Sequence, residues 1–172
     1  FKLFSESIVL INSRFNLFNQ NRNYNPGENM MDYANMLFDS IDASIDDFKL
    51  INDSLNFKIL NLSTKEISGL NIRDLSADLI ISSTSMEANH TIINVNESEL
   101  DVDFRMKYNN YKSLSYFIDS VDMYGDIRST TINISDIGHF SDILFQMPNE
   151  VVVSGEMRGK VNNLSTKDIM IK

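Results

Sequence analysis

The stretch Leu100 to Tyr108 reads Leu-Asp-Val-Asp-Phe-Arg-Met-Lys-Tyr and alternates without a break. Leu100, Val102, Phe104, Met106 and Tyr108 fall on one parity, and Asp101, Asp103, Arg105 and Lys107 on the other. Successive side chains of a strand point to opposite faces, so this is a β-strand with one apolar and one wet face. Helical spacing would scatter the same residues around a cylinder. Burying five such side chains is worth ~1.5–3 kcal/mol each, roughly 10 kcal/mol for the strand. Whatever covers that face decides what the chain can be.

Most of the chain follows the same period. Phe1 to Phe18 reads as extended, with a parity change that predicts a bend near Val9–Asn12. Asn19 to Asn29 is the one obvious loop, with Pro26-Gly27 as its turn. Ile41, Ala43 and Ile45 form a strand that continues through Phe48 and Leu50 after a step at Asp46-Asp47. Asn52-Asp53-Ser54 is a hairpin-like turn into Leu55–Ile59, and Ser68-Gly69 is a second turn. Leu70, Ile72, Leu75, Ala77, Leu79 and Ile81 are extended, as are Ile92–Val95, Met123–Ile134, Glu150–Val161 and Asp168–Ile171. Two stretches break the period. Leu114, Phe117, Ile118 and Val121 predict a helix over Lys112–Val121. A second is predicted from the Ser135-Asp136 cap, with Ile137, Phe140, Leu144 and Met147 on one stripe and Pro148 ending it. The expectation is a mainly β chain of about ten strands and two short helices.

Candidates for chemistry are few. At 172 residues with 42% hydrophobic residues, the chain fits one domain, or one segment of a longer elongated protein. A net charge of −9 without a Lys/Arg run makes nucleic acid an unsuitable partner. There is no cysteine for a disulfide or thiolate site, and no apolar run approaches the ~18 residues of a spanning helix. The opening at Phe1 lacks an initiator Met and a signal pattern, so mature or excised material is expected. His90 and His139 are the only histidines, and neither has the partners of a metal set, so both read as surface residues. Glu97, Glu99, Asp101 and Asp103 line one strand face at two-residue steps. That spacing of ~6.6 Å is too straight for a calcium loop and suits a solvated face with cationic neighbours across the sheet. Gly155 and Gly159 lack the following Lys-Ser/Thr of a phosphate loop and read as bulge or close-approach glycines. Nothing here predicts catalysis or a cofactor.

One pentapeptide repeats: Asn61-Leu-Ser-Thr-Lys65 returns as Asn163-Leu-Ser-Thr-Lys167, followed by Glu66 and Asp168. It suggests a single segment over 1–172 built from repeat units of about 1–99 and 100–172. Around it lies an ordered set of short pieces. Glu66-Ile-Ser68-Gly69-Leu70 precedes Leu75-Ser-Ala-Asp-Leu79. The strand from Ser98 to Tyr108 and the Phe117 helix follow. Ile132-Asn-Ile-Ser-Asp136 then leads to Phe140, and Val153-Ser-Gly155 with Gly159 leads to Asn163-Leu164. This order resembles the TamB family of translocation and assembly module proteins (AsmA/TamB-like), in the form found in Bacteroidota.

The resemblance implies a periplasmic segment of a much longer protein anchored in the inner membrane of a Gram-negative bacterium. It implies an elongated, curled antiparallel β-sheet forming a taco-like groove with a hydrophobic interior. It also implies an outer-membrane barrel partner of the TamA/BamA type and a role in outer-membrane biogenesis and bridge-like phospholipid transfer, with no catalytic residues to carry over. The anchor helix and C-terminal domain of the family are missing from these residues. If the groove is the site, alternation assigns its lipid-contacting lining to Leu55, Phe57, Ile59, Leu75, Leu79, Leu100, Val102, Phe104 and Met106. Asp39-Ser40-Ile41, Asp53-Ser54-Leu55 and Asp119-Ser120-Val121 match the O-glycosylation pattern of exported Bacteroidota proteins. On the residues alone, two architectures stay open. Either a second sheet covers the apolar faces in a compact sandwich, such as an adhesin or carbohydrate-binding module, or one sheet curves and leaves room for acyl chains.

Overall fold

A computed structural model describes residues 1–20, 29–32, 35–140, 149–160 and 162–172. Its nine strands are β1 (Lys2–Phe18), β2 (Asn35–Ile51), β3 (Ser54–Glu66), β4 (Asn71–Ile81), β5 (Ser85–Val95), β6 (Ser98–Lys107), β7 (Asp122–Asn133), β8 (Glu150–Lys160) and β9 (Asn163–Ile171). They form one antiparallel meander in which spatial order equals chain order. The second sheet that a sandwich requires is not formed by the described residues, which corrects that alternative. Nine strands lie among the described residues, in keeping with the expected number; Leu75 and Ile72 share β4, and Ile92–Val95 is the end of β5.

The regular strand of the opening argument is β6, and its neighbours are re-phased to match it. In β5, Met86 and Ala88 lie on even positions and Ile93 on an odd one. Yet Met86 stands opposite Met106, Ala88 opposite Phe104 and Ile93 opposite Leu100. The extra residue is absorbed at His90, whose φ of 50° marks a left-handed bulge between Ala88 and Thr91. Asp47 (φ 55°) does the same in β2, at the predicted step between Ile45 and Phe48. Asn12 (φ 45°) does it in β1, inside the predicted bend. A bulge frees a backbone amide from the ladder, and here carboxylates take it up. His90 N–H donates to Asp103 Oδ1 at 2.6 Å, and Asn12 N–H to Asp42 Oδ1 at 2.8 Å.

Two glycines fit the same account. Gly155 (φ 130°) sits where a Cβ would come within 2.7 Å of the Asp168 carbonyl oxygen, and one on Gly159 (φ 124°) would collide with the Asn163 carbonyl. Both are the close-approach glycines that the sequence suggested.

The helical expectations shrink to single turns. Lys112–Val121 becomes a 3-10 stretch, Tyr111–Tyr116, running into α1 (Phe117–Ser120). The second becomes α2 (Ile134–Ile137) and a 3-10 turn, Gly138–Phe140. Its remaining stripe, Leu144 and Met147, and its stop at Pro148 lie outside the described residues, as does the Pro26-Gly27 turn. The repeated pentapeptide falls in the second half of β3 but opens β9, so its two copies occupy different stations in their strands.

Candidate functional site: the apolar face of the sheet

Register carries the alternation of single strands across the sheet. One row runs Leu55, Ile81, Met86, Met106, Met123, each residue directly opposite the next. The next runs Phe57, Leu79, Ala88, Phe104, Gly125, Met157. Further along the strands, Ile59 faces Ala77, Leu75 faces Ile93 and then Leu100, and Val102 lies between Thr91 and Ile127. All nine residues assigned from alternation therefore share one face, and all nine are half-buried. Opposite-parity residues such as Lys58, Asp78, Asp103 and Arg105 form the other face.

Alternation within single strands missed several members of this face. Met86, Ala88, Ile93, Met123 and Ile127 join it through cross-strand pairing. The bulge at His90 hid the β5 members, because a strand with two phases does not look periodic.

Each of the two rims of this face is covered by a connection. At the rim formed by the end of β6 and the start of β7, Leu114 and Phe117 pack on a buried cluster of Tyr108, Val121 and Met123, which also touches Met86, Phe104 and Met106. Val121 is fully buried, and the Tyr108 hydroxyl donates toward the Ser82 and Ser85 carbonyls at 2.8 and 3.1 Å. Burial first, and then Tyr111, pushes the Tyr108 phenol above its ordinary range. At the opposite rim, α2 overlies an open pocket of about 330 Å³ lined by Leu70, Ile72, Leu75, Ile93, Leu100 and Ile137, among others. Here Asp136 is buried, and its Oδ2 accepts from the Ser98 hydroxyl at 2.6 Å and the Glu97 amide at 3.0 Å. His139 is buried too, with Nδ1 2.8 Å from the Asn29 carbonyl and Nε2 3.0 Å from Asn96 Nδ2. That corrects its reading as a surface histidine: its flanking apolar residues belong to a connection folded onto the sheet. Between the rims, the middle of the face has no second layer among the described residues.

The wet face is held by charge pairs. Arg128 reaches Asp101 at 2.6 Å and Asp103 at 2.8 Å. The Arg128 hydrogen bond holds the Asp103 carboxyl below the usual carboxylate range against partial desolvation, and the two carboxylates raise the guanidinium in return. Arg105 lies 3.6 Å from Glu87, and Arg158 stacks 5.3 Å over the Tyr124 ring. The expected cross-sheet pairing is therefore present for Asp101 and Asp103, while Glu97 lies in the turn before β6 and not on the strand face. His90 stays exposed on this side, 3.0 Å from Asp78. Of the three Asp-Ser-aliphatic triplets, Ser40 is exposed at a bulge (φ 53°), while Ser54 and Ser120 are half-buried. Among the described residues, no cluster of three or more His, Cys, Asp or Glu side chains is arranged to hold a metal ion. Comparison with protein-family models, with curated proteins and with solved structures finds no match to this chain.

Proposed function

We propose that the apolar face holds lipid acyl chains, and that the chain is a structural, lipid-conducting groove segment of a TamB-like envelope protein. One observation carries this reading. A continuous apolar face spans β3 to β7, stays half-exposed, and has no second layer over its middle among the described residues. An apolar surface of this extent on a folded sheet marks a place for an apolar partner. Tails would lie across the strands with their head groups in water. Contacts of this kind are non-directional, so many tails fit and sliding is easy. No bond is made or broken, and no residue is assigned a catalytic role. The same reading puts the segment in the periplasm of a Gram-negative bacterium, in a parent anchored in the inner membrane. Its partners would be phospholipids and an outer-membrane barrel assembly protein of the TamA/BamA type. Native mass spectrometry of the gently purified chain tests the lipid claim. Phospholipid adducts are expected, whereas a chain that carries none and takes up none from vesicles would overturn it.

A further inference from the structure

Methionine is unevenly placed on the sheet. Met86, Met106 and Met123 stand directly opposite one another on β5, β6 and β7, three thioethers at one level of the same face. Met86 and Met106 are half-buried and pack against the buried cluster that contains Met123, beside Leu114 and Phe117. A fourth sulfur reaches the patch from β8. Gly125, two residues along from Met123, is buried, and a Cβ on it would lie 2.8 Å from Met157 Cγ and 3.3 Å from Met157 Sδ. The space left by the missing side chain is therefore taken by the Met157 thioether. Four of the nine methionines thus gather on one patch of four adjacent strands.

We propose that this patch is a site for a soft monovalent cation, Cu(I), held by the sulfurs of Met86, Met106 and Met123 with Met157 beside them. Thioether sulfur is a soft, uncharged donor that selects Cu(I) over magnesium, calcium or manganese. Neighbouring strands lie ~4.8 Å apart, so Met86 and Met123 flank Met106 at one interstrand spacing each. Three rotatable bonds let each side chain swing its sulfur toward the middle while the ladder stays in place. The surroundings select the charge. Tyr108, Phe104 and Phe117 border the row, and aromatic faces favour a cation. The Tyr108 hydroxyl donates to the Ser82 and Ser85 carbonyls and offers no anionic oxygen. Arg105 and Lys107, the charged residues of this end of β6, alternate onto the other face. A neutral, partly desolvated ligand set leaves a divalent ion uncompensated, and a singly charged one costs least to bury there. Leu or Ile would fill apolar space at these four stations as well as Met does, and sulfur is what the four share. The inference does not depend on what the open middle of the face holds.

Methionine-methyl NMR of the whole chain tests it, with Ag(I) as a redox-inert probe and then Cu(I) under anaerobic ascorbate. The ε-methyl resonances of Met86, Met106 and Met123 are expected to shift together and saturate at one ion per chain, while that of the exposed Met170 on β9 stays in place. Met106→Leu conserves volume and so the fold. It should weaken Cu(I) retention against a bicinchoninate competitor at least about 10-fold, the lower end of what loss of even an outer-shell partner costs. Met170→Leu should leave retention unchanged, and Zn(II) should move none of the row. Row resonances indifferent to both soft ions, equal shifts at Met170, a Met106→Leu chain that holds Cu(I) as tightly as the parent, or Zn(II) bound at the row would each rule the site out.

Discussion

Val102→Asp is the sharpest probe of the apolar face, because Val102 lies mid-strand between Thr91 and Ile127, away from both covered rims. Full burial of a valine contributes about 1.5–3 kcal/mol, so a half-buried one contributes about 1 kcal/mol. A carboxylate there still reaches water, which keeps the folding penalty to about 1–2 kcal/mol rather than the far larger cost of a sealed charge. An acyl chain crossing the same point would lose contact over two or three methylenes at ~0.8 kcal/mol each. About 2 kcal/mol corresponds to roughly 30-fold weaker binding. Urea unfolding of the variant and titration with a fluorescent fatty acid separate the two effects. The expected result is a folded variant with most of its lipid affinity gone. Global unfolding would mean that the middle of the face is sealed by protein, and unchanged affinity would mean that tails do not cross it. Phe104 is a poorer probe, since it touches the buried Tyr108–Val121–Met123 cluster and its loss would mix folding with binding.

Three further outcomes test how the face is built. Asp136→Ala removes the acceptor for the Glu97 amide and Ser98 hydroxyl, and should cost about 2–3 kcal/mol in urea unfolding while loosening the α2 rim. Gly155→Ala forces a Cβ toward the Asp168 carbonyl at a φ of 130° and should cost at least about 1–2 kcal/mol by the same measurement. Acid should destabilise the sheet through Asp103. Its folded carboxyl is depressed, so its contribution is present above the ordinary carboxylate range and is lost as pH falls through the folded value. Arg128→Ala should therefore flatten the fall in urea midpoint below about pH 4, and an unchanged acid slope would refute the clamp.

Much of the sheet was legible in the sequence because its strongest signal, β6, is also its most regular strand. Leu100, Val102, Phe104 and Met106 could be assigned to one face from four letters of period two, and pairing adds nothing to that assignment. Their neighbours in β5 could not. The residues that re-phase that strand, Asn89-His90-Thr91, are turn-like in composition and sit inside an 11-residue strand, so a local reading ends the strand there. The bulge persists because tertiary pairing with β6 favours it and Asp103 accepts the freed amide, and neither fact is local. The helices fail for a related reason. Leu114, Phe117 and Val121 do form an apolar stripe, but a single turn is enough to cover Tyr108 and Met123, and Val121 has an extended backbone. His139 was misplaced because burial of a connection depends on what it crosses, here the Asn96 turn between β5 and β6.

A meander in which every strand touches only its chain neighbours has no long-range strand pairing to brace it, so coherence must come from register and from whatever crosses the strands. Register is supplied row by row, and each bulge keeps the rows aligned where the sequence slips phase. Among the described residues, crossing contacts are supplied at the rims, by the Leu114–Phe117 turn on one side and the Asp136–His139 latch on the other. Those two connections bury Val121 and Asp136, while Val102 and Leu79 between them remain half-exposed. The rims therefore set the width of the open strip between them, and that strip runs across the strands rather than along them. A ligand lying along it would bridge β3 to β7 and supply the crossing contacts that the middle of the sheet lacks. Lipid binding and resistance to unfolding should then rise together, by linkage, in this chain.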